Sequence, residues 1–212
     1  MTILDGQTAF ILGASAGIAQ ASARLLAADG ATLFLLGRSS KRLDATRDRI
    51  LEHVPTAEVH LHKGDPEDED TVKKAAQAAF DVAGRLDIVV GTVATGGTGP
   101  LVQQDLAPFT DHVMGNLRSN FLALRYGAPL MTGGGSIVFV SSTSAKTYDS
   151  SAPRLPCLQE FACETHFAFS SISLTKGIAR LTRSRVARSD EKLRRDHRLF
   201  KNDAYGTVRS TL

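Results

Sequence analysis

The sequence predicts an α/β protein in which a doubly wound parallel sheet lies between two layers of helices. Short apolar runs alternate with amphipathic helical patterns along the first two thirds of the chain. Parallel strands need a crossover of about a dozen residues or more, and such crossovers place helices on both faces of the sheet. A glycine-spaced turn directly after the first apolar run is a further sign of tight strand-to-helix connections.

The individual elements follow from the periodicity of the apolar residues. Period-2 or continuous apolar runs predict five buried strands, at 8–12, 31–36, 57–62, 86–91 and 136–140. Apolar residues on one side and polar ones on the other predict crossover helices at 17–29, 41–54 and 69–83. Glycines at 30, 84 and 133–135 stand where helices should stop. A further helix is predicted from about residue 160 to residue 188.

Length and composition favour one domain. The 212 residues are 42% hydrophobic and 22% charged, an ordinary globular balance. We predict a nucleotide-binding core over 1–145 and a divergent, basic and partly helical segment of the same domain over 146–212. Residues 1–150 hold 13 Lys and Arg against 16 Asp and Glu, whereas residues 151–212 hold 12 against 6.

The cysteines and the N-terminal segment narrow the class of protein further. Cys157 and Cys163 are too few for a disulfide framework or a four-ligand zinc site, so no metal is expected. No basic segment precedes an apolar signal core, and no apolar run reaches about 18 residues. These features predict a cytoplasmic protein that is not anchored in a membrane.

The turn after the first strand has the residue types that a phosphate site needs. A phosphate can reach the free N–H groups of a helix N-terminus only where no bulky side chain intervenes. Gly13 suits the tight turn and Gly17 the close approach of a pyrophosphate, and we expect contacts from Ser15, Ala16 and Ile18 as well. An ordinary strand-to-helix turn is the alternative.

Two later strand ends suggest which dinucleotide would bind. Arg38 and Ser39 follow the second strand, where an acidic residue would favour NAD and a cation favours the 2′-phosphate of NADP. NADP is therefore predicted over NAD. The alternative, less favoured by the position of Arg38, is a solvated loop charge before an N-cap serine. Asp65, after the third strand, either accepts a hydrogen bond from the adenine amino group or caps the next helix.

These residues together resemble the short-chain dehydrogenase/reductase family over about residues 5–145. The quoted elements are the run 12–19 for the family's Thr-Gly-x-x-x-Gly-x-Gly turn, Asp65, the strands 86–90 and 135–142, and Gly115-Asn116-Leu117. The resemblance implies a Rossmann-like fold and an oxidoreductase that interconverts a carbonyl and an alcohol. Leu12 replaces the usual Thr, and Gly91-Thr92-Val93-Ala94 stands in place of Asn-Asn-Ala-Gly. The family's asparagines tie the fourth strand to its neighbours, and Thr92 is the expected partial replacement.

The family's catalytic groups are only partly matched. The resemblance implies Ser142 as the catalytic serine and Asn116 as the asparagine of the proton relay. The alternatives are a strand-end serine that caps a turn and a helix asparagine bonded to the backbone. A family member also needs a Tyr with a Lys four residues later, which lowers the pKa of the phenol. No tyrosine here is followed by a lysine at that spacing, since Leu130, Ala152 and Arg209 stand there.

Two weaker candidates remain for the missing groups. Lys176 resembles the family's lysine if 145–170 is an inserted excursion, and a surface lysine is the alternative. Tyr148 is a substitute acid from a loop, with Lys146 nearby. The absent pair leaves open a catalytically impaired NADP(H)-binding protein, and the lost pattern after residue 145 is consistent with a divergent or truncated C-terminal third.

The sequence raises two kinds of macromolecular partner, a second copy of the chain and a nucleic acid. The resemblance implies a homodimer or homotetramer that pairs through the long fourth and fifth crossover helices. The arginines at 180, 183 and 188 would share one face of the predicted 160–188 helix and suggest a nucleic-acid patch. Acidic residues are interspersed there and aromatic ones are few, so a solvated surface is the favoured interpretation and nucleic acid is not an expected partner.

Overall fold

A computed structural model describes residues 2–94 and 105–140 with their side chains, and the backbone of 171–175 and 178–182. Its strands are β1 (Thr8–Leu12), β2 (Thr32–Gly37), β3 (Val59–Lys63), β4 (Ile88–Gly91), β5 (Gly135–Phe139), β6 (Ser171–Thr175) and β7 (Ile178–Thr182). Its helices are α1 (Gly17–Ala28), α2 (Ser40–His53), α3 (Glu69–Ala83) and α4 (Leu106–Gly127).

One sheet with the strand order β3-β2-β1-β4-β5-β6-β7 forms the centre of the fold. Strands β1 to β5 are all parallel. The order reverses between β1 and β4, because the chain first adds β2 and β3 on one side of β1 and then crosses to the other side. In open α/β sheets this reversal leaves a crevice at the carboxyl ends of the two strands, where ligands bind.

Two apolar clusters separate the molecule into three layers. Alternate residues of β1 point to opposite faces: Phe10 and Leu12 pack with residues of α3 and α4, whereas Ala9 and Ile11 pack with residues of α1 and α2. All four β1 residues are fully buried. The predicted doubly wound α/β fold is therefore confirmed, and the predicted strands and crossover helices are present within about two residues of the predicted bounds.

The helix ends follow local chemistry. Ser39 Oγ accepts from the Arg42 backbone N–H at 3.4 Å at the start of α2, and Asp68 Oδ2 accepts from the Thr71 N–H at 2.8 Å at the start of α3. Hydrogen bonds from the Thr71 side chain and from its backbone N–H lower the pKa of Asp68, because they favour the charged carboxylate. Gly84 ends α3 in the left-handed region, with φ 67°.

The helix predicted at 160–188 is wrong over 171–175 and 178–182, the part of that range that the structure describes. Strand β6 pairs antiparallel with β5, and β7 pairs antiparallel with β6, so two strands extend the sheet where a helix was expected. The sequence of β6 alternates Ile172 and Leu174 with Ser and Thr, which is the period of a strand. Arg180 lies in β7 and so not on a helical face, while the arginines at 183 and 188 lie outside the described residues.

A buried carboxylate joins three strands at the amino ends of the sheet. Asp87 Oδ2 accepts from the Thr8 backbone N–H at 2.9 Å, and Arg85 donates to both carboxylate oxygens, at 2.6 and 2.8 Å. The backbone of Asp87 also bonds to Thr8 and to Ser136. The hydrogen bonds to Asp87 raise the pKa of Arg85, because they favour the charged guanidinium.

We expect Asp87→Ala to destabilise the protein by about 1–3 kcal/mol, because it leaves the buried Thr8 N–H without its acceptor. Asp87→Asn keeps an acceptor for Thr8 and loses only the charge, so its loss should be smaller. Urea unfolding of the two variants measures the difference. Equal midpoints for both variants and the wild type would contradict the role given to Asp87.

Candidate functional site

The turn between β1 and α1 is tied to both neighbouring strands. The N–H groups of Gly13 and Ala14 both donate to the Leu36 carbonyl of β2, at 3.0 and 3.2 Å. Gly13 has φ 80°, and a Cβ there would lie 3.0 Å from Thr92 Oγ1 and 3.1 Å from Val93 Cγ2. A side chain at Gly13 is therefore disfavoured by the left-handed backbone conformation and would require Thr92 and Val93, after β4, to shift by a few tenths of an ångström.

The N-terminus of α1 opens at this turn. The N-cap residue is Ala16, whose side chain makes no capping hydrogen bond, and no acidic residue lies in the first turn. Ala16, Gly17 and Ile18 are all exposed. Gly17 has φ 60°, and a Cβ added to it would have no atom within 4 Å. Among the described residues no side chain caps the first N–H groups of the helix, an arrangement that suits an anion.

The end of β2 adds positive charge beside the turn. Arg38 is exposed and forms no ion pair within the described part of the chain. Ser39, the second residue predicted here, caps α2 through its hydroxyl. Ser15 lies over this strand end, since a Cβ on Gly37 would overlap its Oγ.

Asp65 has a different local role from the helix cap considered above. Its Oδ1 accepts from the Glu67 backbone N–H at 3.0 Å, which forms a turn, and the N-cap of α3 is Asp68. The capping alternative is therefore wrong for Asp65. Its carboxylate is exposed after β3.

Thr92 ties the end of β4 to β1. Its hydroxyl donates to the Leu12 carbonyl at 3.0 Å, and its backbone N–H lies 3.3 Å from the same oxygen. This is the link between strands that was expected of Thr92. Contact with a cofactor stays a prediction for this residue.

Asn116 lies in α4 and is buried, with 4% of its surface exposed. Its Nδ2 donates to the His112 carbonyl at 2.8 Å. One turn further on, Asn120 Nδ2 lies 3.3 Å from the Asn116 carbonyl. The backbone bond of the alternative interpretation is therefore present, and a part in a proton relay stays a prediction.

Three of the predicted catalytic residues lie outside the described residues: Ser142, Tyr148 and Lys176. Tyr126 is the one tyrosine that the structure describes. Its hydroxyl donates to Glu69, and this hydrogen bond raises the pKa of the phenol. A phenol that exchanges protons near neutral pH needs the opposite shift, so the bond to Glu69 does not favour Tyr126 as the missing tyrosine.

Sequence reasoning missed Asn120, which is 97% buried opposite Gly91. A signal was available, since His112, Asn116 and Asn120 follow each other at intervals of four residues and therefore share one face of α4. The structure brings this face to the carboxyl end of β4.

No helix in the described ranges is both long and apolar enough to cross a bilayer.

The fold and the glycine turn define a doubly wound α/β protein with its crevice at the β1/β4 switch point. A family model described as "short chain dehydrogenase" matches residues 7–153. The chain belongs to this family.

Individual relatives agree with that membership. The chain is similar to an uncharacterized oxidoreductase, YxbG, of Bacillus subtilis, with 34% identity over 149 residues, which are 69% of this chain and 54% of the relative. It is 33% identical to levodione reductase of Leifsonia aquatica over 144 residues, which are 68% of this chain and 54% of that protein. The chain therefore spans about half the length of these curated relatives.

Solved structures show the same architecture. A levodione reductase crystal structure aligns with a TM-score of 0.71 and 27% identity, covering 77% of this chain and 64% of that one. A short-chain dehydrogenase/reductase from Serratia marcescens aligns with a TM-score of 0.70 and 26% identity, covering 77% and 66%.

Proposed function

We propose that the chain binds NADP(H) and serves an oxidoreductase that interconverts a carbonyl and an alcohol on a small organic substrate. The observation that carries the proposal is the uncapped, exposed N-terminus of α1 beside two glycines with positive φ, at the switch point of the sheet. Membership of the short chain dehydrogenase family supports the reaction class.

The residues present fit a dinucleotide. The turn from Gly13 to Ile18 would receive the pyrophosphate. Arg38 and Ser39 would contact the adenosine ribose, and Asp65 would accept a hydrogen bond from the adenine amino group. Thr92 would line the crevice next to the cofactor. The bound nicotinamide would supply or accept the hydride. The protein's own contribution at this end is to hold N–H donors and cations in fixed positions without side chains in the way.

The N-terminus of α2 supports NADP over NAD. Its first turn contains Lys41 and Arg42 and no acid, and Arg38 lies just before it. Cations are unfavourable at a helix N-terminus, where the macrodipole is positive. In contrast, the first turn of α3 has Glu69 and Asp70. Three cations at the unfavourable end of α2 suit the binding of a phosphate dianion, as carried by the 2′ position of NADP.

For the chemical step we propose Ser142 to hold the substrate oxygen and Asn116 to support a proton-relay water. Lys176 and Tyr148 are the proposed sources of the remaining cation and acid. The support for Asn116 is its burial in α4, one turn before Asn120, which lies beside Gly91 at the end of β4. The other three rest on their positions in the sequence.

A second function is favoured by one sequence fact, the absence of a tyrosine followed by a lysine four residues later. A general acid accelerates the reaction by about 10²–10⁴-fold, but it is not required for cofactor binding. The alternative is therefore a protein that binds NADP(H) without turnover.

Titration with NADPH and NADH, followed by nicotinamide fluorescence, tests both functions in the same cuvettes. Saturable binding with NADPH preferred supports the proposal, and oxidation of NADPH with a panel of ketones and quinones identifies a reductase. Binding without oxidation supports the second function. Failure to bind either dinucleotide would overturn both.

We expect Arg38→Asp to weaken NADPH binding by about 10–100-fold, because it removes a charge-assisted bond to the 2′-phosphate. The new carboxylate can accept from a ribose 2′-hydroxyl, so NADH binding should be unchanged or stronger. Lys73→Asp, which makes a similar charge change on the exposed side of α3, should leave both affinities unaltered. Equal loss for both dinucleotides would contradict recognition of the phosphate by Arg38.

Comparing Gly17→Ala with Gly84→Ala distinguishes an effect on backbone strain from an effect on NADPH binding. Gly17 and Gly84 have nearly the same φ, 60° and 67°, and both have open space where a Cβ would be. Ala at either position should lower stability by about 1–2 kcal/mol, the cost of a left-handed conformation. Only Gly17→Ala should also abolish NADPH binding, because its Cβ would enter the space proposed for the pyrophosphate. Unaltered NADPH binding by folded Gly17→Ala would contradict that placement.

We also propose a homodimer or homotetramer that pairs through α4. Met114 and Phe121 lie two turns apart on one face of the helix and are 48% and 46% exposed. The exposed Leu106 extends the apolar surface of α4 toward its N-terminus. Such a patch on a long helix suits a self-complementary contact with the same helix of a second copy.

Met114→Glu combined with Phe121→Glu should convert the oligomer to monomers, because the contact would then bury four carboxylates per pair of helices. Light scattering after gel filtration measures the mass. Val82→Glu on α3, where the valine is 55% exposed, is the matched control and should keep the assembly. A monomeric wild type would overturn the proposed assembly itself.

A further inference from the structure

The inner face of α4 carries polar side chains where apolar ones are the rule. Four of its buried residues are polar: His112, Asn116, Ser119 and Asn120. Three of them, at 112, 116 and 120, follow each other one turn apart on the side of the helix that packs on the sheet. Buried polar groups destabilise a core unless they are hydrogen-bonded. These polar residues therefore need either hydrogen-bond partners or a functional role that offsets their cost.

Two hydrogen bonds join the residues at 112, 116 and 120 into a ladder. Asn116 Nδ2 donates to the His112 carbonyl at 2.8 Å, and Asn120 Nδ2 donates to the Asn116 carbonyl at 3.3 Å. The opposite orientation of the Asn120 amide would set its oxygen against the Asn116 carbonyl, so the donor is fixed on that side. Each asparagine therefore holds the backbone of the residue one turn before it.

The oxygen of the Asn120 amide packs against β4 at Gly91. A Cβ on Gly91 would lie 2.6 Å from Asn120 Oδ1, so the amide occupies the space that a side chain of β4 would take. Within the described residues Asn120 Oδ1 is buried without a hydrogen-bond donor. An unpartnered buried acceptor destabilises a fold, and a leucine of similar volume would avoid the loss.

We propose that Asn120 is a positioning residue that acts through Asn116. The contact between the Asn120 amide and Gly91 fixes the position of Asn120 relative to the end of β4. The hydrogen bond to the Asn116 carbonyl transmits that position one turn up the helix, toward the crevice. That Asn116 belongs to the active site rests on the proposed function, whereas the coupling between the two asparagines does not.

The test compares Asn120→Leu with Ser119→Ala. Ser119 Oγ is also buried without a partner in the described part of the chain, but it lies outside the ladder. Both substitutions remove a buried unpartnered oxygen from α4, so both should keep or raise the melting temperature. Asn120→Ala, which is too small to collide with Gly91, serves as a second variant if Asn120→Leu does not fold.

The first readout is hydrogen exchange of the Asn116 side-chain amide by NMR, which needs no cofactor. We expect exchange at least about tenfold faster in the Asn120 variants and unchanged in Ser119→Ala, because only the former release the ladder. Unchanged Asn116 exchange in the Asn120 variants, or an equal change in Ser119→Ala, would overturn the proposal.

The second readout is turnover with NADPH. Misplacement of a catalytic group by about 1 Å can lower rates 10²-fold, so Asn120→Leu should lower kcat by tenfold or more with little change in KM for NADPH. A wild-type kcat in a variant whose Asn116 exchange has changed would overturn the link from Asn120 to catalysis. A wild type that binds no dinucleotide would refute the proposed function, and the exchange measurement would still decide whether the two asparagines are coupled.

Discussion

The structure depends on the close approach of three strand ends around the turn after β1. The Leu36 carbonyl accepts from both N–H groups of the turn, and the Leu12 carbonyl accepts from the Thr92 hydroxyl. Gly13 lies beside Thr92 and Val93, which would have to shift to admit a Cβ. A larger residue there would push β4 away from β1 and widen the crevice that the reversal of strand order creates.

The availability of the α1 N-terminus follows from that constraint. The bonds to Leu36 use the N–H groups of Gly13 and Ala14 in the turn and leave those of the first turn of α1 uncapped. Ala16 at the N-cap leaves the first N–H groups unused, whereas the starts of α2 and α3 are capped by Ser39 and Asp68. The one described crossover helix before β4 without a side-chain cap is thus the one that faces the switch point.

Much of this arrangement is predictable from the sequence, and the exceptions have physical causes. Strands β1 to β5 and helices α1 to α3 are marked by apolar periods that match buried faces, so local pattern and tertiary packing agree. The helix predicted at 160–188 is wrong at 171–175, where Ile172 and Leu174 alternate with Ser and Thr in the period of a strand. The contact of Asn120 with Gly91 was not predictable, because it depends on the register between α4 and β4, which no local pattern encodes.

The groups that the proposed function assigns to a dinucleotide and those that it assigns to proton transfer lie in different parts of the chain. The former lie on β1, α1, β2 and the β4 end, within the residues that match the family model. Of the latter, Ser142, Tyr148 and Lys176 lie outside the described residues. The hydroxyl of Tyr126, the described tyrosine, donates to Glu69, which raises the pKa of its phenol. Under the proposed function, dinucleotide binding and turnover are therefore separate tests, and Asn116 in α4 is the one described residue matched to the family's catalytic groups.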